Sequence, residues 1–588
     1  MERLTLWAPY CRSVAALIGD AAHPLEPAGH GWWAADVPDT VREHGYLFSL
    51  DGAAGIPDPR SPWQPWGVHG PSHPLDHGAF LWHDDGWRAP PLSAAVIYEL
   101  HVGTFTPDGT FEAAADYLDN LVDLGVTHVE LMPVAEFAGD RGWGYDGVAL
   151  FAPHHAYGGP AGLKYLVDAC HRAGLGVILD VVYNHLGPEG AYAPRAAPYL
   201  TGHHRTNWGA AVNFDGADSD EVRRFVLDNA VMWLRDYHVD GLRLDGTHAI
   251  ADQSATPILE ALAERVERLA AELGRPLVLI AENDRNDPRL VRSRQAGGSG
   301  LDGVWADDLH HALHAVLTGE RRGYYRDFGT LADVAKACRC ALVYDGQYSA
   351  HRRRLHGRPA TGLSGHRFVV CLQNHDQVGN RAAGDRIGQQ AGADMQMIGA
   401  AVIFFSPFVP LLLAGEEWGA SSPFQYFTSV EDERLARQIV EGRRREFAAF
   451  GWPPEEVPDP QDPATFARSK LPWAQRPEGP HGRMLDWYRR LIHLRRSAPA
   501  LCDGDMSGVR TAWDEQARWL EIRRGDLVLL ANLADHGLDR PLADGLDDAA
   551  ILLASKDGCA IRDGAVSLPH RSAAVYGCSI RRRGRASG

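Results

Sequence analysis

The fold class this sequence predicts is α/β: a (β/α)8 barrel flanked by an N-terminal β-sandwich and a C-terminal β-sandwich. Three observations predict it. Eight strand-like apolar runs alternate with helical stretches through the middle of the chain. Those runs are nearly continuous in apolar residues, as parallel strands covered on both faces require. Both ends of the chain switch instead to short alternating stretches broken by Gly, Pro and Asp, the pattern of small all-β domains. A chain of 588 residues also exceeds one hydrophobic core, so about two to four domains are expected.

In order along the chain, LTLWA, SVAALI and GYLFSL read as strands of an N-terminal domain over residues 1–90. Its last part is the Pro-rich link IPDPRSPWQPWGVHGPSHP, and WRAPPL marks the boundary. The barrel is assigned to 91–500. Its strands are read in AAVIYELHV, VTHVELMPV, GVILDVVY, VDGLRLDG, LVLIAEN, GVWADDL, FVVCLQNHD and PLLLAGEEW. Between them TFEAAADYLDNLVDLG reads as a helix, and so does DEVRRFVLDNAVMWLRDYH. In the second, Val222, Phe225, Val226, Ala230, Trp233, Leu234 and Tyr237 share one apolar face. An open doubly wound sheet would want a glycine-rich phosphate loop after its first strand, and YELHVGTFTPDG has no G-x-G-x-x-G. Over 501–588, RWLEIRR, LVLLANL, AILLAS, AVSLP and AAVYGC predict the second sandwich.

Hydrophobic content of 45% and charged content of 23% suit a globular enzyme. A net charge of −18 argues against nucleic acid and anionic membrane as partners, because both attract cationic surfaces. The basic tail RRRGRASG reads as a frayed terminus. The first residues lack the charged start, apolar stretch and cleavage site of a signal peptide. The run MIGAAVIFFSPFVPLLLAG is cut by Pro407 and Pro410 into pieces too short for the ~20 residues of a spanning helix. It is expected to form a buried helix, a turn and a buried strand. Eight scattered cysteines without metal-site spacing predict reduced thiols and a cytoplasmic location, with no metal and no cofactor.

The polar residues gather at one place. Asp180, Asn184 and His185 follow strand three, Arg243 and Asp245 end strand four, Glu282 ends strand five, and His375 and Asp376 end strand seven. These are C-terminal ends of barrel strands, the rim on which barrel active sites are built. Taken singly, any of these acids is more often a cap or turn residue; their convergence on one rim favours a site. In GLRLDGTH, strand period two sends Leu242 and Leu244 outward and Arg243 and Asp245 toward the mouth. The guanidinium favours an ionised Asp245, as a nucleophile requires, the alternative being a structural Arg–Asp pair. Glu282 leaves an apolar strand, where desolvation favours its protonated form and suits a proton donor. Asp284 reads as a cap. Two carboxylates of opposed character across a cleft are the apparatus of glycoside hydrolysis, and adjacent strands predict the spacing of about 5–5.5 Å that goes with retention.

The tags DVVYNH (180–185), GLRLD (241–245), Glu282 and NHD (374–376) stand in the order of the four motifs of the α-amylase superfamily, which this chain resembles. By that resemblance Asp245 is the nucleophile, Glu282 the general acid/base and Asp376 the transition-state stabiliser. Arg243, His185 and His375 are implied contacts at the scissile sugar, Tyr145 of WGYDG its stacking platform, and His248 and Gln377 further substrate contacts. The flanking β domains look like the superfamily's carbohydrate-binding-like module and C-terminal sandwich.

Longer tags, DPRSPWQPWGVHGPS, YELHVGTFTPDGTF, NHDQVGNRAAGDR, GEEWGASSPFQYFTS and GRRREFAAFGW…EVPDPQDPATFARSKL, resemble one family within it, the malto-oligosyltrehalose trehalohydrolases. That resemblance implies a malto-oligosyltrehalose or maltodextrin-type substrate, release of trehalose, and a malto-oligosyltrehalose synthase as functional partner. Where the family often shows DAVHAI, this chain has DGTHAI. In GEEWGASSPFQYF, aromatic faces and carboxylates would suit the trehalose end, with Glu417 and Phe424 as contacts; aromatic stripes are usually core, and about half of these side chains are expected to pack. A branching or debranching enzyme shares the barrel and the acids, but branching enzymes typically carry HDE where Gln377 follows Asp376 here. A non-catalytic glycan-binding relative should lack one of the three acids.

Overall fold

The computed structural model describes residues 1–448 and 451–578. The basic tail at 581–588 lies outside the described residues. Eight parallel strands close a barrel: Ile97–Leu100, His128–Leu131, Gly176–Val181, Gly241–Leu244, Val278–Ala281, Gly303–Trp305, Phe368–Cys371 and Val409–Leu413. Each of the eight apolar runs supplies one strand, in order. The seam closes where strand eight pairs with strand one, Leu411 beside Ile97 and Leu413 beside Glu99.

The two-residue period sorts the side chains. Ile97, Ile178, Ile280, Trp305, Val369 and Val409 fill the barrel interior as a cluster of their own. Leu242 and Leu244 belong to the outer cluster shared with the helices. The helix Ser219–Asp236 buries its whole expected face, with Tyr237 just beyond it also buried. The single helix expected from TFEAAADYLDNLVDLG forms as two, Phe111–Ala115 and Leu118–Leu124. Tyr117 leaves helical geometry between them, and its ring meets Trp473 at 4.5 Å between centres.

The long apolar run becomes the helix Ala393–Phe405, a turn, and strand eight. Among the described residues no helix is long and apolar enough to cross a membrane. A tight turn with Pro407 leaves main-chain carbonyls without ladder partners, and buried carbonyls must find donors. Two buried arginines supply them. Arg495, from the helix Gly479–Ser497, donates to the carbonyls of Phe404 (3.1 Å) and Phe408, and to that of Ser406. Arg524, from the C-terminal sheet, donates to Ser406 (2.8 Å) and Leu501 (3.2 Å).

At the N-terminus the strand Ala21–Gly29 pairs through residues 21–25 with Val14–Ile18 and through 26–29 with Trp32–Val37. It thus passes from one layer to the other, and Leu4, Leu6, Val14, Leu25, Val37 and Phe48 fill the space between. The Pro-rich link and the WRAPPL boundary are not a free tether. Trp87 stacks on His171 and donates to Asp240 (3.0 Å), and Trp82 stacks on His238, all at the N-terminal rim of the barrel. The C-terminal sandwich faces a five-stranded sheet with a three-stranded one over Val528, Leu530, Val566, Leu568 and Tyr576. All eight cysteines are unpaired.

Candidate active site

Arg243 organises the mouth of the barrel. Its side chain is fully buried and lies 4.2 Å over the ring of Trp305. Nη1 donates to Asp180 (2.7 Å) and Asp245 (3.0 Å), and Nη2 donates to Glu282 (3.1 Å). One guanidinium therefore ties together carboxylates from the ends of strands three, four and five. Exposure rises outward from it: 2% for the Asp180 side chain, 13% for Asp245, 18% for Glu282 and 38% for Asp376. The three acids singled out in the sequence are the ones that open to the mouth.

Both oxygens of Asp245 are held. Oδ1 takes the Arg243 bond, and Oδ2 accepts from Asn184 Nδ2 at 2.7 Å. The same amide donates to the Asp245 carbonyl at 2.8 Å, so Asn184 fixes the nucleophile candidate. The turn that follows explains DGTHAI. Gly246 has φ +48°, which glycine adopts at least cost, and a Cβ there would lie 2.5 Å from Asn184 Nδ2, so glycine lets Asn184 approach closely. The Gly246 amide then donates to Glu282 Oε2 at 2.7 Å. Arg243 and Gly246 both use Oε2, which leaves Oε1 to carry a proton toward the mouth. Burial pushes the Glu282 carboxyl above its ordinary range, with Arg243 pulling the other way and Asp245 adding to the rise.

Tyr145 stands on a loop between the paired strands Ala135–Glu136 and Ala149–Pro153. Glu136 pins the base of that loop by accepting the His155 amide at 2.8 Å. The half-buried Tyr145 donates to Asp180 at 2.7 Å, meets His375 Nε2 at 2.8 Å and stacks on the His375 ring. Asp180 is pushed up to about 7 by burial, against the pull of Arg243. Asp376 is likewise raised, by burial first, then lowered by His375 and raised by Glu282.

A family model for the alpha amylase catalytic domain matches residues 84–208, and one described as a domain of unknown function, DUF3459, matches 505–575. A protein of Rhizobium sp. (strain M-11) named malto-oligosyltrehalose trehalohydrolase is 49% identical over 97% of both chains. One of the same name from Arthrobacter ramosus is 52% identical over 85% of this chain and 88% of its own. The chain belongs to the malto-oligosyltrehalose trehalohydrolase family. A solved Salmonella typhimurium protein assigned as an alpha amylase shares the architecture, with a TM-score of 0.89 at 38% identity over 98% of this chain and 97% of that one.

Within this family member, several side chains lie elsewhere than the sequence suggested. Glu417 is buried 1% exposed, accepts from Tyr98 Oη at 3.0 Å and is pushed up to about 7 by burial. Phe424 is buried against Trp143, a layer behind the mouth. After strand eight the chain turns at Gly415 and tucks the 416–418 turn under the helix Gly479–Ser497, which turns Glu417 into packing. Gln377 accepts the Asn374 amide at 2.8 Å while Asn374 accepts that of Asp376, a reciprocal cap on the short helix His375–Gly379. Gln377 shapes the turn through its Oε1. Arg243 and His375 are likewise buried, and their hydrogen bonds run to the acids and to Tyr145. His185 lies under the half-exposed ring of Trp208, parallel at 5.0 Å, while His248 stays half-buried near Asp284.

Two residues escaped the sequence reading. Trp208 projects from the hairpin Leu200–Thr206 and Gly209–Val212, an insertion with no periodic signal. Asp307 follows strand six and is pushed up to about 7 by burial, with Glu282 and Asp376 beside it. The acid doublet in WADDL, read with the same strand-end rule, was the available signal.

The Glu282 environment sets the sign of one pH dependence. A proton donor must be protonated, so kcat/KM falls as pH rises through its raised pKa. With an α-maltosyl fluoride, whose leaving group needs no proton, the limb that Glu282 sets should vanish from kcat/KM, and any limb left should lie at higher pH. A limb at the same pH with the fluoride would remove Glu282 from the donor role.

Proposed function

We propose that this enzyme hydrolyses the α-1,4 bond next to the terminal trehalose of a malto-oligosyltrehalose, with retention at the anomeric carbon. The observation that carries the chemistry is the shared guanidinium: Arg243 holds Asp245 as an oriented carboxylate and Glu282 as a neighbouring acid on one rim. The names of the relatives supply the substrate.

An Asp245 oxygen attacks the anomeric carbon while the bond to the trehalose oxygen breaks, and Glu282 gives that oxygen its proton. Trehalose leaves, and the glucosyl unit is bound to Asp245 as an ester. Water then gives a proton to Glu282 and its oxygen to the anomeric carbon, freeing Asp245 and a shortened malto-oligosaccharide. Asp376 holds hydroxyls of the same sugar, Tyr145 lies against its face, and His185 and His248 line the approach. Domains over 1–90, 91–500 and 501–588, a cytoplasmic location, and supply of the substrate by a malto-oligosyltrehalose synthase complete the reading.

Proton NMR of products from malto-oligosyltrehalose tests it. Free trehalose and an α-anomer formed first are expected. A β-anomer first would replace retention by inversion, and no trehalose, with new α-1,6 linkages made from amylose, would mark a branching enzyme instead.

A further inference from the structure

Behind the mouth lies a contact that the reaction above does not use. Glu99, on strand one, is 1% exposed and grips His375 at two points. Oε2 accepts the His375 main-chain amide at 2.9 Å, and Oε1 lies 2.5 Å from ring Nδ1. The other ring nitrogen, Nε2, is 2.8 Å from Tyr145 Oη and 3.4 Å from Asp376 Oδ1. We propose, resting on the glycosidase reading, that Glu99 is a positioning residue: it holds His375 doubly protonated in one orientation, and so fixes Tyr145 and Asp376 against the sugar.

The hydrogen-bond geometry supports it. Tyr145 gives its own proton to Asp180, so its oxygen must accept from His375 Nε2–H. Oε2 of Glu99 is engaged by the His375 amide, and Oε1 stands 2.5 Å from Nδ1, placed to accept an Nδ1–H. A neutral imidazole has one N–H and can satisfy only one of these.

The charged and titratable groups around the ring agree. From strand one come Glu99 and, just after it, His101, which burial holds down to about 4 and uncharged at neutral pH. From strand two comes Glu130, paired in register with Glu99; burial and Glu99 push it far up, and neither of its oxygens has a hydrogen-bond partner, so it is a neutral acid. Asp180 faces it from strand three, Tyr145 from the loop after strand two, Arg243 from strand four, and Asp376 from its own turn. Burial lowers His375, but Asp376 and Glu99 outweigh it, and the ring is raised to about 9.

The test compares the full-length enzyme with Glu99→Gln, using ¹⁵N-histidine spectra in which His375→Gln assigns the signal. In the wild type the His375 ring should carry both protons at pH 8, and in Glu99→Gln it should be neutral there. In the same variant kcat should fall 10–100-fold, the range for removing a partner that orients a working side chain. KM should change little, and an alkaline limb should enter at least one pH unit below that of the wild type. A neutral His375 in the wild type at pH 8 overturns the inference, and so does a Glu99→Gln pH profile of unchanged shape. Should Glu99→Gln not fold, Glu99→Asp takes its place: the carboxyl remains, so the limb stays put while kcat falls, and a limb that moves overturns the inference. Failure of the wild type to act on malto-oligosyltrehalose would end the substrate reading alone, because the spectra need no substrate.

Discussion

Asp245→Asn is expected to lower kcat by on the order of 10⁴-fold or more, the scale of loss when a nucleophile that forms a covalent intermediate is removed. The amide is the same size as the carboxylate, so the fold should survive. Its neighbours do not suit it, however. Asp245 takes one donor on each oxygen, from Arg243 and from Asn184, so the new NH2 must face a donor whichever way the amide turns. The variant loses both nucleophilicity and orientation. Intact-mass measurement after mixing with a 5-fluoro α-glycosyl fluoride should show an adduct on the wild type and none on the variant. Turnover within tenfold of wild type, or an adduct mapped to another residue, would place the covalent step elsewhere.

Arg243→Gln should cost both activity and stability. Removing one partner of a buried ion pair costs about 3–5 kcal/mol, since the remaining charge stays buried and uncompensated. Here three carboxylates lose the same guanidinium. Urea unfolding should shift to lower concentration and kcat should fall below detection. Arg243→Lys separates the two effects. An ammonium restores a positive charge but not the planar fork that reaches Asp180 and Asp245 through one nitrogen and Glu282 through the other. Stability should recover in part and activity should not. A fully active lysine variant would show that charge alone, without its geometry, is what the acids need.

The barrel was legible because its signals are local. Apolar runs of strand length between helical faces give strand order, and period two tells which residues of GLRLD face inward. The rule that acids at strand ends gather on one rim then brought Asp245, Glu282 and Asp376 together before any coordinates. What stayed hidden depends on neighbours distant in sequence. Asp180 stands beside Arg243 through strand register, which no local pattern encodes, and so the arginine read as a sugar contact rather than a buried tie. Glu417 and Phe424 have the composition of a sugar subsite, but the turn at Gly415 points them into packing. Glu99 carries no local mark within YELHVG, because its partner lies 276 residues away.

The arginine pair at the turn before strand eight has a consequence for anyone trimming or recombining this protein. The last stave of the barrel is clasped from outside by residues that come later in the sequence, one on a helix and one in the terminal sheet. Cutting the gene near residue 500 would therefore expose main-chain oxygens at the closing joint, besides discarding an appendage. Chimeras between relatives should carry that stave and its distal clasp as a single cassette.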